Sequence, residues 1–164
     1  MEVGKEGTGL VKYFEFFEDM PYTCPAGKKT IGWGHVILPE DDFDLPLSPE
    51  DGLHLLVQDL GIAKKAVQEG VVVGLHQYQF DALVSLAFNI GNGAFLKSQT
   101  LEALNRKNLP DLFKEWKEWR KADGEIISGL EKRRACEIVL FQNGDWRKVF
   151  HMQEEEWRKV YESL

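Results

Sequence analysis

The sequence predicts an α+β chain, predominantly α-helical, in which a small β-hairpin lobe near the N-terminus meets a larger helical lobe through one connecting helix. Three observations carry this. Phe80, Leu83, Val84, Ala87 and Phe88 share one face at helical spacing, Cys24-Pro25-Ala26-Gly27 is a turn sequence flanked by strand formers, and Ser48-Pro49-Glu50-Asp51 is a strong helix start between them. A chain of 164 residues suits a single domain over 1–164, with lobes at about 9–47 and 71–164 joined by a helix over 48–70.

Residues 1 to 8 are small and charged and read as a loose arm. Leu10, Phe14 and Phe17 then fall at i, i+4 and i+7 with Val11 beside them, an amphipathic helix whose apolar stripe excludes Lys12, Glu18 and Asp19. Pro21 restricts Met20 to extended angles and is expected to end that helix, leaving Tyr22-Thr23-Cys24 as a short strand. Pro25 presets its own φ, Gly27 closes the turn, and Lys28 to Val36 returns with Thr30, Ile31, Trp33 and Val36 as strand formers. With the turn centred near Gly27, Cys24 and Thr30 stand opposite one another and project from the same face. Residues 37 to 47 mix acids, prolines and isolated apolar groups, as a surface loop or ragged third strand rimming a groove would.

Ser48 as N-cap, Pro49 at the first helical position and acids in the first turn start the connecting helix, which Leu53, Leu56, Val57, Leu60 and Ala63 carry to Gly70. Gly91 and Gly93 stop the central helix. Leu101 to Asn105, Leu109 to Trp119 and Leu130 to Phe141 supply three more, Asn143-Gly144 is a stop, Trp146 tucks the chain back, and Glu154 to Tyr161 adds a last helix.

Bulk properties exclude several classes. Hydrophobic residues at 43% and five Trp argue for a folded chain, and a net charge of −7 gives no basic footprint for nucleic acid or anionic lipid. Cys24 and Cys136 form neither a disulfide framework nor a CxxC pair, and His35, His54, His76 and His151 lack ligand spacing, so no metal site is expected. The opening MEVGKEGTGL has no apolar core for a signal peptide, and no later run approaches membrane-span length. A monomer without stable membrane association is the expectation.

Residues 10 to 36 hold the groups suited to chemistry. Glu15 borders the apolar stripe, and a carboxylate poised between core and solvent is placed to act as a general acid; the plain alternative is a solvated carboxylate like Glu18 or Asp19. Cys24 is mostly neutral at pH 7 unless a cation or hydrogen bond favours the thiolate, and Lys28 and Lys29 lie in the same turn; otherwise it is a small half-buried hydrophobe. Thr30 is either an ordinary strand residue or a hydroxyl that holds a water.

Glu15, Cys24 and Thr30, in the setting FExxxxxxYxCPAGxxTIGxGH, resemble the Glu-x8-(Asp or Cys)-x5-Thr signature of the phage-type lysozymes, glycoside hydrolase family 24. HQYQFDALVSLAFNIGNGAF (76–95) and GLEKRRACEIVLFQNGDW (129–146) also resemble endolysins of that family, so the resemblance covers most of the chain. It implies a lysozyme-like fold with a cleft between the lobes, and an endolysin that hydrolyses the β-1,4 bond between N-acetylmuramic acid and N-acetylglucosamine in a peptidoglycan strand, without a cofactor. Such a protein would be made in the host cytoplasm and act in the periplasm or cell wall after release. Glu15 would protonate the glycosidic oxygen, Cys24, where Asp stands more often, would activate water, and Thr30 would hold it.

The same resemblance puts Phe88 and Asn89 beside the saccharide cleft and Arg133 next to the glutamate it would orient. Each has a plain alternative: core for Phe88, a helix C-terminal residue for Asn89, a surface partner of Glu137 at i+4 for Arg133. His35 reads first as a hydrogen-bonded structural residue, then as a sugar contact or lobe anchor, and Trp33 as a stacking surface or hairpin packing. Lambdoid relatives often have Gly where this chain has Phe16, and residues 17 to 20 are unusually acidic. The negative net charge also fits an anionic wall polymer awkwardly. The rival functions are a lytic transglycosylase acting on the same bond and a non-catalytic peptidoglycan-binding module.

Overall fold

The computed structural model describes residues 1–24 and 26–164. Its first helix, α1 (Lys5–Glu15), packs through Leu10 and Val11 into the core formed by the later helices. Its N-terminus has no cap from its own sequence. The buried carboxylate of Asp81 supplies one, accepting the N–H of Gly4 at 2.8 Å and of Gly7 at 3.2 Å, so a negative charge sits at the positive end of the helix. A Cβ at Gly4 or Gly7 would approach Asp81 to 2.6 or 3.0 Å, which is why small residues stand there. Residues 4 to 8, expected as a loose arm, are therefore the clamped start of α1.

The helix ends earlier than Pro21 suggests. Phe16 turns out of it at φ 51 and ψ 158, and β1 (Glu18–Thr23) begins before the proline. Pro21 is accommodated because β1 is an exposed edge strand, where a missing N–H costs no ladder bond. β1 pairs antiparallel with β2 (Lys29–Gly32), and β2 with β3 (His35–Val36), in the order β1-β2-β3. The turn between β1 and β2 is closed by Gly27 N–H to Cys24 C=O at 2.8 Å with Gly27 at φ 78; Pro25, the expected second turn residue, lies outside the described residues. The loop over 37–48 returns to this sheet, with Ile37 N–H bonded to the Lys29 carbonyl and Leu47 N–H to that of Asp19, both within 2.9 Å.

Ser48 caps α2 (Pro49–Gly70), its hydroxyl accepting the Asp51 N–H at 3.1 Å. Leu56, Leu60, Ala63 and Val67 form its buried stripe, against which α3 (Gln77–Ile90) packs, itself buried on every side from Phe80 to Ala87. Gly91, at φ 89, ends α3, but Gly93 lies inside the short α4 (Asn92–Leu96). There follow α5 (Gln99–Asn105), α6 (Leu109–Lys117), α7 (Ser128–Phe141), α8 (Trp146–His151) and α9 (Glu154–Ser163). Between α6 and α7 a second hairpin, β4 (Lys121–Ala122) and β5 (Glu125–Ile126), turns through Asp123 at φ 50 and Gly124 at φ 84. That Asp-Gly pair is a strong two-residue hairpin signal, and it marks a hairpin where sequence reading had placed only a helix connection. The largely helical body and the small antiparallel sheet match the predominantly helical α+β expectation.

Candidate active site

Glu15 is the last residue of α1, and its position follows from what holds the helix at both ends. Asp81 fixes the start. In the same first turn, Glu6 accepts from Trp146 Nε1 at 2.8 Å and from Arg147, tying α1 to α8. At the C-terminal end Arg133 of α7 donates from Nη1 to Glu15 Oε1 at 2.5 Å. The guanidinium is 3% exposed and the Glu15 side chain 23% exposed, so the sequence alternative of a surface ion pair does not describe Arg133. The other Glu15 oxygen faces Gly34, where a Cβ would stand 3.1 Å from Oε2. Gly34 at φ 84 thus lets the backbone between β2 and β3 close over the carboxyl group without touching it.

The hairpin register differs from expectation by one pair. Thr30 is paired with Tyr22, and Cys24 N–H bonds to the Lys28 carbonyl at 2.9 Å, so Cys24 faces Lys28 rather than Thr30. Because strand side chains alternate, Tyr22, Cys24, Lys28 and Thr30 still share a face, with Cys24 and Thr30 as diagonal neighbours. Cys24 is half-buried, and its thiol is shifted below the usual range, first by the Lys28 N–H, then by the Thr30 hydroxyl, with the Lys28 charge a smaller contribution. The buried Thr30 hydroxyl has one proton to give, shared between that sulfur and the Lys28 carbonyl at 3.1 Å. Tyr22 went unweighed in the sequence. Burial, and then the charges of Glu15 and Cys24, push its phenol up, which places it within electrostatic reach of both. The Y of the FExxxxxxYxC spacing was the available signal.

The remaining expected site residues lie apart from this face or point elsewhere. His35 is 5% exposed, with Nδ1 2.9 Å from Asp59 of α2 and Nε2 3.0 Å from Asp41 of the following loop. Burial works against a charged ring, but hydrogen bonds and charge from the two carboxylates outweigh it and raise His35 above the ordinary histidine range. Both ring nitrogens are thus engaged, one with α2 and one with the loop that follows β3. Trp33 is enclosed by the Phe17 ring at 4.6 Å and the Lys12 ammonium at 4.3 Å. Phe88 is half-buried against the core, and Asn89, in the last turn of α3, accepts from Arg134 Nη2 on its side-chain oxygen at 2.8 Å. No group of three or more metal-ligating side chains occurs among the described residues.

Beneath Glu15 is a buried ionic network that sequence reading missed. Glu137, fully buried, accepts from Ser85 Oγ at 2.8 Å, Trp116 Nε1 at 3.0 Å, Arg133 Nε at 3.2 Å and Arg134 Nη2 at 3.1 Å. Arg134 is also fully buried, and desolvation lowers its guanidinium to about 10. The only sequence signal was that Arg133, Arg134 and Glu137 crowd a helix that otherwise reads as core. A buried charge of either sign demands a partner.

A family model described as Phage lysozyme matches residues 12–137, and the chain belongs to that family. The endolysin of Salmonella phage P22 is 34% identical over 144 residues, covering 86% of this chain and 98% of that one. The endolysin of Bacillus phage B103 is 34% identical over 151 residues, 91% of this chain, but the chain spans 57% of its length. Among solved structures, the muramidase domain of SpmX from Asticaccaulis excentricus superposes with a TM-score of 0.76 at 33% identity, covering 85% of this chain and 97% of that domain.

Proposed function

We propose that this chain acts, as a single unit and a monomer, as an endolysin: a muramidase that hydrolyses the β-1,4 bond between N-acetylmuramic acid and N-acetylglucosamine in peptidoglycan. The observation that carries the reading is the part-buried Glu15 carboxyl, fastened by Arg133 and within electrostatic reach of Tyr22 on the hairpin face that also bears Cys24 and Thr30. Glu15 donates its proton to the glycosidic oxygen as the bond breaks and the sugar gains oxocarbenium character. Cys24, its thiolate favoured by the Lys28 N–H and the Thr30 hydroxyl, takes a proton from the attacking water, whose oxygen bonds to the anomeric carbon. Arg133 holds the carboxyl group in place, and His35 acts through the sheet it anchors rather than on the sugar.

The working place of such an enzyme is the cell wall. Synthesis in the host cytoplasm followed by release is the route we assign; no described helix is long and apolar enough to cross a membrane. The decisive variant is Glu15→Gln, expected to abolish clearing of a peptidoglycan suspension with an unchanged circular dichroism spectrum. Undiminished clearing would remove the assignment. In the same assay, Cys24→Ala should lower the release of reducing ends at least tenfold, and anhydro-muramic ends among the products would point to transglycosylation instead.

A further inference from the structure

A guanidinium touching a carboxylate favours its charged form, yet a general acid must arrive at the reaction with its proton. Arg133 on Glu15 therefore works against the chemistry unless its charge is offset. The offset lies directly behind it. Arg133 points Nη1 at Glu15 and Nε at Glu137, so the two carboxylates share one guanidinium from opposite sides. Arg134 in turn donates from Nη2 to Glu137 at 3.1 Å, its Nε lies 2.9 Å from the other Glu137 oxygen as an ion pair without hydrogen-bond geometry, and Arg134 also reaches Asn89 and the Trp119 carbonyl.

We propose that Glu137 is a positioning residue that governs Glu15 through Arg133, balancing the buried positive charge that the Glu15 carboxyl group faces. This assignment rests on Glu15 being the acid. Among the described residues, the charged or titratable groups around the pair are Arg133 and Arg134 of α7 with Cys136 and Lys132 flanking, Tyr22 of β1 with Glu18 and Cys24 beside it, and Tyr161 of α9 within electrostatic reach of Arg134; α3 and α6 contribute the neutral donors Ser85 and Trp116. Among the described residues, Glu137 is the one anion that touches both arginines. It lies in a site without solvent, where a charge acts over several ångströms with little screening. Arg134 is far enough behind Arg133 not to touch Glu15, yet the two feel each other's charge.

Two substitutions push in opposite directions. Glu137→Gln removes the negative charge, leaves two buried cations facing Glu15, and should move the alkaline limb of the lytic pH profile to lower pH by about one unit. Arg134→Gln removes a positive charge while its amide can still reach Asn89 or Glu137, and should move the same limb to higher pH. The Glu15 carboxyl resonance, followed by carbon NMR with labelled glutamate, should titrate with the same two displacements. Limbs and resonance that stay put while the plateau activity falls would reduce Glu137 to a packing role and overturn the proposal. Should Glu137→Gln not fold, Arg134→Gln decides: an upward displacement supports the coupling and an unmoved profile overturns it. A wild-type protein without lytic activity would sink the muramidase reading alone, since the NMR displacements still test the coupling.

Discussion

Replacing Gly34 by alanine tests whether the backbone between β2 and β3 shapes the acid. Two effects separate cleanly. Gly34 sits at φ 84, and an L-residue held in the left-handed region costs about 1–2 kcal/mol whatever surrounds it. The new methyl would also stand 3.1 Å from Glu15 Oε2, 3.7 Å from Cδ and 3.8 Å from Cγ, so the carboxyl group must give by a few tenths of an ångström. Its other oxygen is fixed on Arg133 at 2.5 Å, so the displacement comes out of the acid's alignment with the glycosidic oxygen. Since a misplacement of about 1 Å can cost about 10²-fold in rate, a third of that should cost about fivefold. Gly124, also at φ 84 but with nothing within 4 Å of an added Cβ, supplies the control in the remote β4–β5 turn. Denaturant melts should show similar stability losses for Gly34→Ala and Gly124→Ala, while the initial rate of wall clearing falls only in the former. Equal rates in the two variants would show that Gly34 does not confine the Glu15 carboxyl.

Two further outcomes follow from the same geometry. Phe16, at φ 51 and ψ 158 and 69% exposed, holds a conformation nearly restricted to glycine and buries little, so Phe16→Gly should stabilise the fold by about 1–2 kcal/mol, read as a higher thermal midpoint; a lower midpoint would mean that the ring makes contacts worth more than the backbone strain. His35 is raised, so its contribution is fully present below the ordinary histidine value of 6.5 and is lost as pH rises through its raised value. Asp41 is lowered, chiefly by the Leu38 N–H and then by His35, so its contribution is present above 3.8 and is lost as pH falls through its lowered value; Asp59, raised by burial, opposes it. His35→Ala should therefore cost about 2–3 kcal/mol in mildly acid solution and progressively less on the alkaline side, measured as stability against pH; a constant loss would mean that the ring serves by packing alone.

Much of the chain was legible before any coordinates because its signals are local. Ser48-Pro49-Glu50-Asp51 starts α2 through bonds made within one turn, the Phe80 to Phe88 stripe needs only helical period, and Glu15, Cys24 and Thr30 are marked by spacing along one short stretch. Errors arose where a distant group overrides the local preference. Gly4 and Gly7 read as a loose arm until Asp81, more than seventy residues away, supplies the cap. Pro21 read as a helix stop because nothing nearby reveals that β1 is an exposed edge.

The sequence by itself determined the fold class, the order of most elements and the three polar groups on which the proposed chemistry turns, since propensity, periodicity and spacing are properties of neighbours along the chain. Only the tertiary structure decided which oxygen of Glu15 meets Arg133, that Cys24 pairs with Lys28 instead of Thr30, that His35 is spent between Asp41 and Asp59, and that Glu137 lies behind the acid. Those arrangements are set by the demand that every buried charge find a partner, and the partners come from helices and strands that only folding brings together.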